Sequence, residues 1–224
     1  MEGDSKEIEN FKVGLNKGYI IRLAVFAAGL FTLALGAAIV ITADVGVATW
    51  DVLHIGLSDI TGLTVGRWVQ IVGVGMVAIT AFFEKKRIAV GSVLNIVLIG
   101  FFLNAILGTG LLPEFRGLAP RIIMLLIGIV FMGSGSGMYV ASGIGAGPRD
   151  GMTLLIARRF SISVRLARTL LEMAALTCGW LVGGPVALGT FVTVPLLGPI
   201  MQSSLKFSNR QLEKLYKDDM DGEA

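Results

Sequence analysis

Two short stretches carry the same punctuation. Gly46-Val-Ala-Thr-Trp-Asp51 and Gly145-Ala-Gly-Pro-Arg-Asp150 each set a glycine ahead of an aspartate at the same spacing. Such a glycine allows the tight or left-handed turn that ends one helix, and Thr49, Asp51 or Asp150 stands where the next helix would be capped. A helix that starts inside or near a membrane presents free N–H groups and the positive end of its dipole, which hold an anion or a carboxylate. Gly46, Thr49, Trp50, Asp51, Gly145, Gly147, Arg149 and Asp150 are therefore candidate substrate-binding residues. Pro148 and Arg149 replace Thr49 and Trp50, so a site built between the stretches would be asymmetric. A structural reading competes: each stretch is an interfacial helix capped by its own aspartate, with Trp50 anchored among the headgroups.

Glu172 is the deepest ionisable residue in the apolar segments. It lies about ten residues into its span, roughly 15 Å by helix rise, near the bilayer midplane. A carboxylate there is strongly disfavoured unless paired, hydrated or protonated. Arg168, one turn earlier, is the expected partner; the functional alternative is a proton-coupling carboxylate or a contact on a water-filled path. Asn95 is expected to bridge helices, or else to line a polar passage with Thr190 and Thr193. His54, one turn after Trp50, is expected at an exposed or interfacial position.

Other chemistries are excluded. A single histidine and a single cysteine, Cys178, leave no disulfide framework and no multi-ligand metal centre. Gly133-Ser-Gly-Ser-Gly137 lacks the Lys-Ser/Thr of a phosphate loop, so close helix packing through small faces is the expectation. No Ser-His-Asp arrangement, metalloprotease motif or catalytic carboxylate pair occurs, so an enzyme is not expected, and neither a cofactor nor a metal is called for. The basic residues follow the membrane topology described below, which leaves nucleic-acid binding without a role.

The elements that must position these residues are membrane helices. Hydrophobic residues make up 54% of the 224 and charged residues only 16%. A water-covered globule needs about 25% charged residues, so the chain belongs in a lipid bilayer. Mean hydropathy is +0.78. Uncharged runs predict six full spans near 20–43, 66–83, 88–110, 121–142, 162–182 and 187–205. The polar start and the length of the first apolar run predict a retained span, not a signal peptide. Val47–Ile60 and Gly147–Phe160 are too short and too charged to cross. With a cytoplasmic N-terminus, six spans put all but Arg67, Arg116 and Arg121 of the 19 Lys and Arg residues inside. Eight spans would move Lys85, Lys86 and Arg87 outside.

The chain also matches itself. At an offset of 99, Gly36 falls on Gly135, Gly46 on Gly145 and Asp51 on Asp150. At an offset of 98, Gly91-Ser92 falls on Gly189-Thr190 and Gly100 on Gly198. Each copy reads long span, short segment, span, span. Three crossings per copy is odd, so the second copy enters the membrane inverted, as in many secondary transporters.

At these residues the chain resembles the bacterial YczE/YyaS/YitT-like multi-pass membrane proteins. The resemblance rests on Gly46–Asp51, its echo Gly145–Asp150, and Gly189-Thr190, and covers roughly 30–205. The soluble C-terminal domain of YitT-type members is missing, so the chain is closest to the YczE-type branch. The resemblance implies an inner-membrane protein and carries over no catalytic residues.

The expectation is an all-α integral membrane protein with six transmembrane helices as two inverted three-helix repeats, each with a short non-spanning helix. A cytoplasmic N-terminal segment covers 1–19, the first membrane repeat 20–112, the second 121–205, and a cytoplasmic tail 206–224. That tail is expected to form a short amphipathic surface helix that frays over Asp218–Ala224. Both termini face the cytoplasm of a bacterial cell. The expected function is secondary transport of a small anionic or zwitterionic solute across the inner membrane by alternating access. Glu172, Asn95 and Arg149 join the two turns as lining candidates, and a homodimer suits so small a carrier. The alternative is a non-transporting membrane scaffold that supports another membrane complex.

Overall fold

A computed structural model describes residues 17–85, 89–145 and 147–221. The N-terminal segment up to residue 16 and the basic pair Lys86-Arg87, both used in assigning sidedness, lie outside the described residues. The described residues form eight α-helices and no strand: α1 (Lys17–Ala43), α2 (Thr49–Thr61), α3 (Val65–Glu84), α4 (Val90–Thr109), α5 (Leu118–Ala141), α6 (Pro148–Arg159), α7 (Val164–Leu181) and α8 (Leu188–Asp221). Two short helices, α2 and α6, follow the long α1 and α5.

Five of these helices, α1, α3, α4, α5 and α8, are long and apolar enough to cross a membrane. The sixth expected span, α7, has 18 residues and includes Arg165, Arg168 and Glu172, so composition alone does not mark it as one. A second difference concerns the tail. No separate surface helix forms at 206; α8 runs unbroken for 34 residues through Pro195 and Pro199 to Asp221. At about 1.5 Å per residue it is roughly 51 Å long, well beyond a hydrocarbon core of about 30 Å.

Helices α1 and α5 form the centre. Small residues let their backbones touch: Gly29 packs on Gly135 and Tyr139, while Gly36 packs on Gly128 and Met132. The rising index on α1 meets a falling index on α5, so the two helices are antiparallel. Gly133 and Gly137 of the glycine-rich run pack on Ile200 and Leu205 of α8, again as backbone-close contacts. The main buried cluster gathers around Ala34, Ala38, Val40, Val52, Leu103, Leu125 and Ile129.

The pairings come in matched sets. Helix α1 packs on α4, and α5 on α8; α2 packs on α7, and α6 on α3. The turns behave alike. Gly46, at φ 116, lies so close to the last helix that a Cβ would sit 2.7 Å from the Thr190 amide nitrogen and 2.9 Å from that of Gly189. A Cβ on Gly145 would sit 2.7 Å from the Gly91 Cα. Asp44 and Gly143, which follow α1 and α5, both take left-handed backbone, at φ 49 and φ 67. Arg121 donates to Asp44 and to the Ala43 carbonyl, and Arg22 reaches toward Gly143. The pairing of α3 along α4 has no counterpart, because α7 makes no comparable contact with α8.

Candidate functional site

The first turns of both short helices open into one central cavity of about 140 Å³, to which each of the eight helices contributes. Space of this kind exceeds the roughly 10–15 Å³ that holds one water, so a small organic molecule fits. Leu33, Val69, Ile96, Ile99 and Leu103 supply apolar wall. The polar lining comes from Thr49, Asp51, His54, Asn95, Ser136, Tyr139, Arg149, Asp150, Arg168 and Glu172.

Of the ten residues singled out from sequence, the structure brings eight to this cavity: Thr49, Trp50, Asp51, Asn95, Gly147, Arg149, Asp150 and Glu172. Gly46 and Gly145 do not line it. They sit behind it, where their missing side chains let the turns press on Gly189-Thr190 and on Gly91.

The caps differ from expectation. Ala48 and Gly147 are the N-cap residues, and neither has a side-chain capping bond. Asp51 and Asp150 each lie third in their helix, within the first turn, where a carboxylate offsets the positive dipole end. Pro148 takes the first helical position of α6, which needs no donated N–H.

Trp50 is not a headgroup anchor. It is 4% exposed and lines the cavity, with the Arg149 guanidinium over its ring at 4.8 Å from the centroid. Glu172 does not pair with Arg168. It accepts a hydrogen bond from the Thr49 hydroxyl, which links α7 to the start of α2. Arg168 lies 4.0 Å from Asp150 instead.

His54 also departs from expectation. It is 1% exposed, not interfacial, and its Nδ1 lies 3.8 Å from Asp51 Oδ1. The signal was present: at helical spacing, residues 50, 51 and 54 share one face. Tyr139 and Ser136, on α5, were missed because their α1-facing and cavity-facing positions carry no distinct sequence mark.

Among the described residues, three buried side-chain polar atoms have no hydrogen-bond partner: Trp50 Nε1, Asp51 Oδ2 and His54 Nδ1. All belong to the first turns of α2 and to cavity-lining residues. Buried polar groups are nearly always paired with protein or water, so three orphans on one wall take their partners from within the cavity.

Residues 20–206 match the model of a family of unknown function, DUF6198. The chain belongs to this family. It is similar to an uncharacterized membrane protein, YczE, of Bacillus subtilis (strain 168), with 36% identity over 187 residues, 83% of this chain and 86% of the relative. An uncharacterized protein of Haemophilus influenzae (strain ATCC 51907 / DSM 11121 / KW20 / Rd) is 33% identical over 190 residues, covering 85% of each chain. The uncharacterized protein YyaS of the same Bacillus is 28% identical over 185 residues, 79% of this chain and 88% of the relative. No solved structure matches the chain. The relatives and the five apolar helices agree on a multi-helix membrane protein.

Proposed function

We propose that the chain is a secondary transporter that carries a small solute across the bacterial inner membrane by alternating access, without changing it chemically. The observation that carries this reading is the central cavity with its orphaned polar wall, reached by the first turns of both short helices. Paired short helices with starts aimed at a shared midplane site are the common plan of such carriers.

On this reading α7 is the sixth span. Its Arg168 and Glu172 line the cavity, and its 18 residues reach roughly 27 Å. Both termini are then cytoplasmic. The matched contacts support two halves of opposite orientation. Gly46 meets Gly189, and the positions that coincide with them, Gly145 and Gly91, also meet. Gly29 and Gly36 meet Gly135 and Gly128, which are their own counterparts in exchanged order. Trp50 and Arg149, counterparts of each other, stack directly. Reciprocal contacts of this kind are what a two-fold relation produces.

The halves differ in one respect that suits alternating access. The Asp51 side chain is 7% exposed, while that of Asp150 is 34% exposed. The cavity is thus more open beside α6 and α7, the cytoplasmic side on the six-span reading. An exchange of the two arrangements would close α7 on α8 and part α3 from α4.

The test is flux through the purified protein in liposomes, across a panel of small amines, zwitterions and carboxylates. Asp51→Asn and Asp150→Asn, each with an unchanged elution profile, are expected to lower flux at least about tenfold, the effect of about 1.4 kcal/mol. Liposomes inert to the whole panel would remove the proposal. A second reading, a scaffold for another membrane complex, is favoured by the length of α8, which at roughly 51 Å is longer than a hydrocarbon core of about 30 Å. Deletion of 207–224 leaves flux intact on the first reading and abolishes function of the assisted complex on the second.

A further inference from the structure

From the charge and the unsatisfied atoms of the cavity we infer that its ligand is a small monocationic amine that also carries a hydrogen-bond acceptor, the chemistry of an amino alcohol. The inference concerns the site on which the transport reading rests and deepens it.

Charge comes first. The cavity is lined by three carboxylates, Asp51, Asp150 and Glu172, and by two guanidiniums, Arg149 and Arg168. With His54 neutral, one negative charge is left over. The positive ends of α2 and α6 lie at Asp51 and Asp150 and offset part of their charge, without donating to the free Asp51 oxygen. Arg168 lies beside Asp150, Glu172 is held by the Thr49 hydroxyl, and Arg149 lies over Trp50. A buried carboxylate oxygen left without a donor is costly, and a ligand cation that donates to it removes that cost.

The unsatisfied atoms say where the cation sits. Asp51 is 5% exposed and its Oδ2 has no partner. An ammonium donates to that oxygen directly, as a charge-assisted hydrogen bond. Trp50 Nε1 is donor-only and equally unpartnered, so the ligand must also offer an acceptor. His54 Nδ1, beside Asp51, pairs with a hydroxyl in either direction. A bare alkali ion satisfies Asp51 and leaves the indole N–H unmet. Among the described residues no group of three or more His, Cys, Asp or Glu side chains is arranged to hold a metal ion. An anion would add to the surplus negative charge.

The experiment is calorimetric titration of the full-length protein in lipid nanodiscs with ethanolamine, glycine, acetate and sodium chloride. Ethanolamine is expected to bind, glycine at least about tenfold more weakly, and acetate and sodium chloride not at all. Asp51→Asn is expected to weaken ethanolamine at least about tenfold, and Trp50→Phe, which removes the N–H and keeps a ring, severalfold. Where Asp51→Asn does not yield monodisperse protein, Asp51→Glu displaces the same oxygen and is expected to lose affinity likewise. Acetate or glycine binding as tightly as ethanolamine overturns the inference. So does the absence of ethanolamine binding, or unchanged ethanolamine affinity in the Asp51 variants. Binding without liposome flux removes the transport reading and leaves the ligand class standing. Flux of a carboxylate with no amine binding does the reverse.

Discussion

Thr49 and Glu172 come from opposite halves of the chain, and the hydroxyl of one holds the carboxylate of the other. Hydrogen bonds to charged groups contribute about 1.5–3 kcal/mol, and removal of the donor leaves the carboxylate unmet. Thr49→Val is therefore expected to destabilise the protein by about that amount, read as a lowered thermal unfolding midpoint in detergent. Glu172→Gln keeps an acceptor for the hydroxyl and is expected to cost less. An equal loss in both variants would show that the contact contributes little. Much of this site could be read in advance from residue type and spacing. The echo of Gly46–Asp51 in Gly145–Asp150 led to six of the eight candidates that line the cavity, and a lone mid-span carboxylate led to Glu172. The partners were not legible. Arg168 and Glu172 stand one turn apart on one helix, which predicts a pair, but Asp150 and Thr49 reach in from other helices and take one each. His54 was misplaced because a histidine near a membrane surface reads as interfacial until the helix that carries it is known to be enclosed.

At the scale of elements, glycines decide which helices approach. The inner face of α1 meets α5 backbone at Gly29 and Gly36, so Gly36→Leu is expected to cost at least about 1–3 kcal/mol of overpacking, seen as loss of monodisperse protein. Gly100 and Gly198 coincide at the second offset, yet their surroundings differ. Gly100 is pressed by Gly66 and Gln70 of α3, and Asn104 accepts from the Gly66 amide; nothing lies within 4 Å of a Cβ on Gly198. Gly198→Trp is thus expected to change the unfolding midpoint by no more than the equivalent of about 0.5 kcal/mol, as surface changes usually do. If α7 closes on α8 during transport, the same variant lowers flux at least about tenfold; full flux in Gly198→Trp counts against that closure. The order and extent of the helices were legible, because charge runs and Gly-Pro breaks fall between them. The continuity of α8 was not. Polar residues from Lys206 onward suggested a new surface helix, whereas a helix already under way needs no fresh nucleation and simply continues.

For the whole molecule, the proposed six-span arrangement makes a sidedness prediction. In a Cys178→Ala background, Ile60→Cys in the last turn of α2 is expected to react with an impermeant thiol reagent from outside the cell. Phe160→Cys after α6 is expected to react only once the membrane is opened. Both side chains are exposed, so lack of access is not the obstacle. Reaction of both from the same face would undo the opposed orientation of the halves. The stack of Trp50 on Arg149 bears on how such a molecule can arise. A dyad formed by two identical subunits sets each axial side chain against its own copy. Two guanidiniums would repel there, and two indoles would bring no cation. An unlike couple at the axis is closed to two identical subunits, so on the inverted-repeat reading this contact requires two sequences that have already diverged.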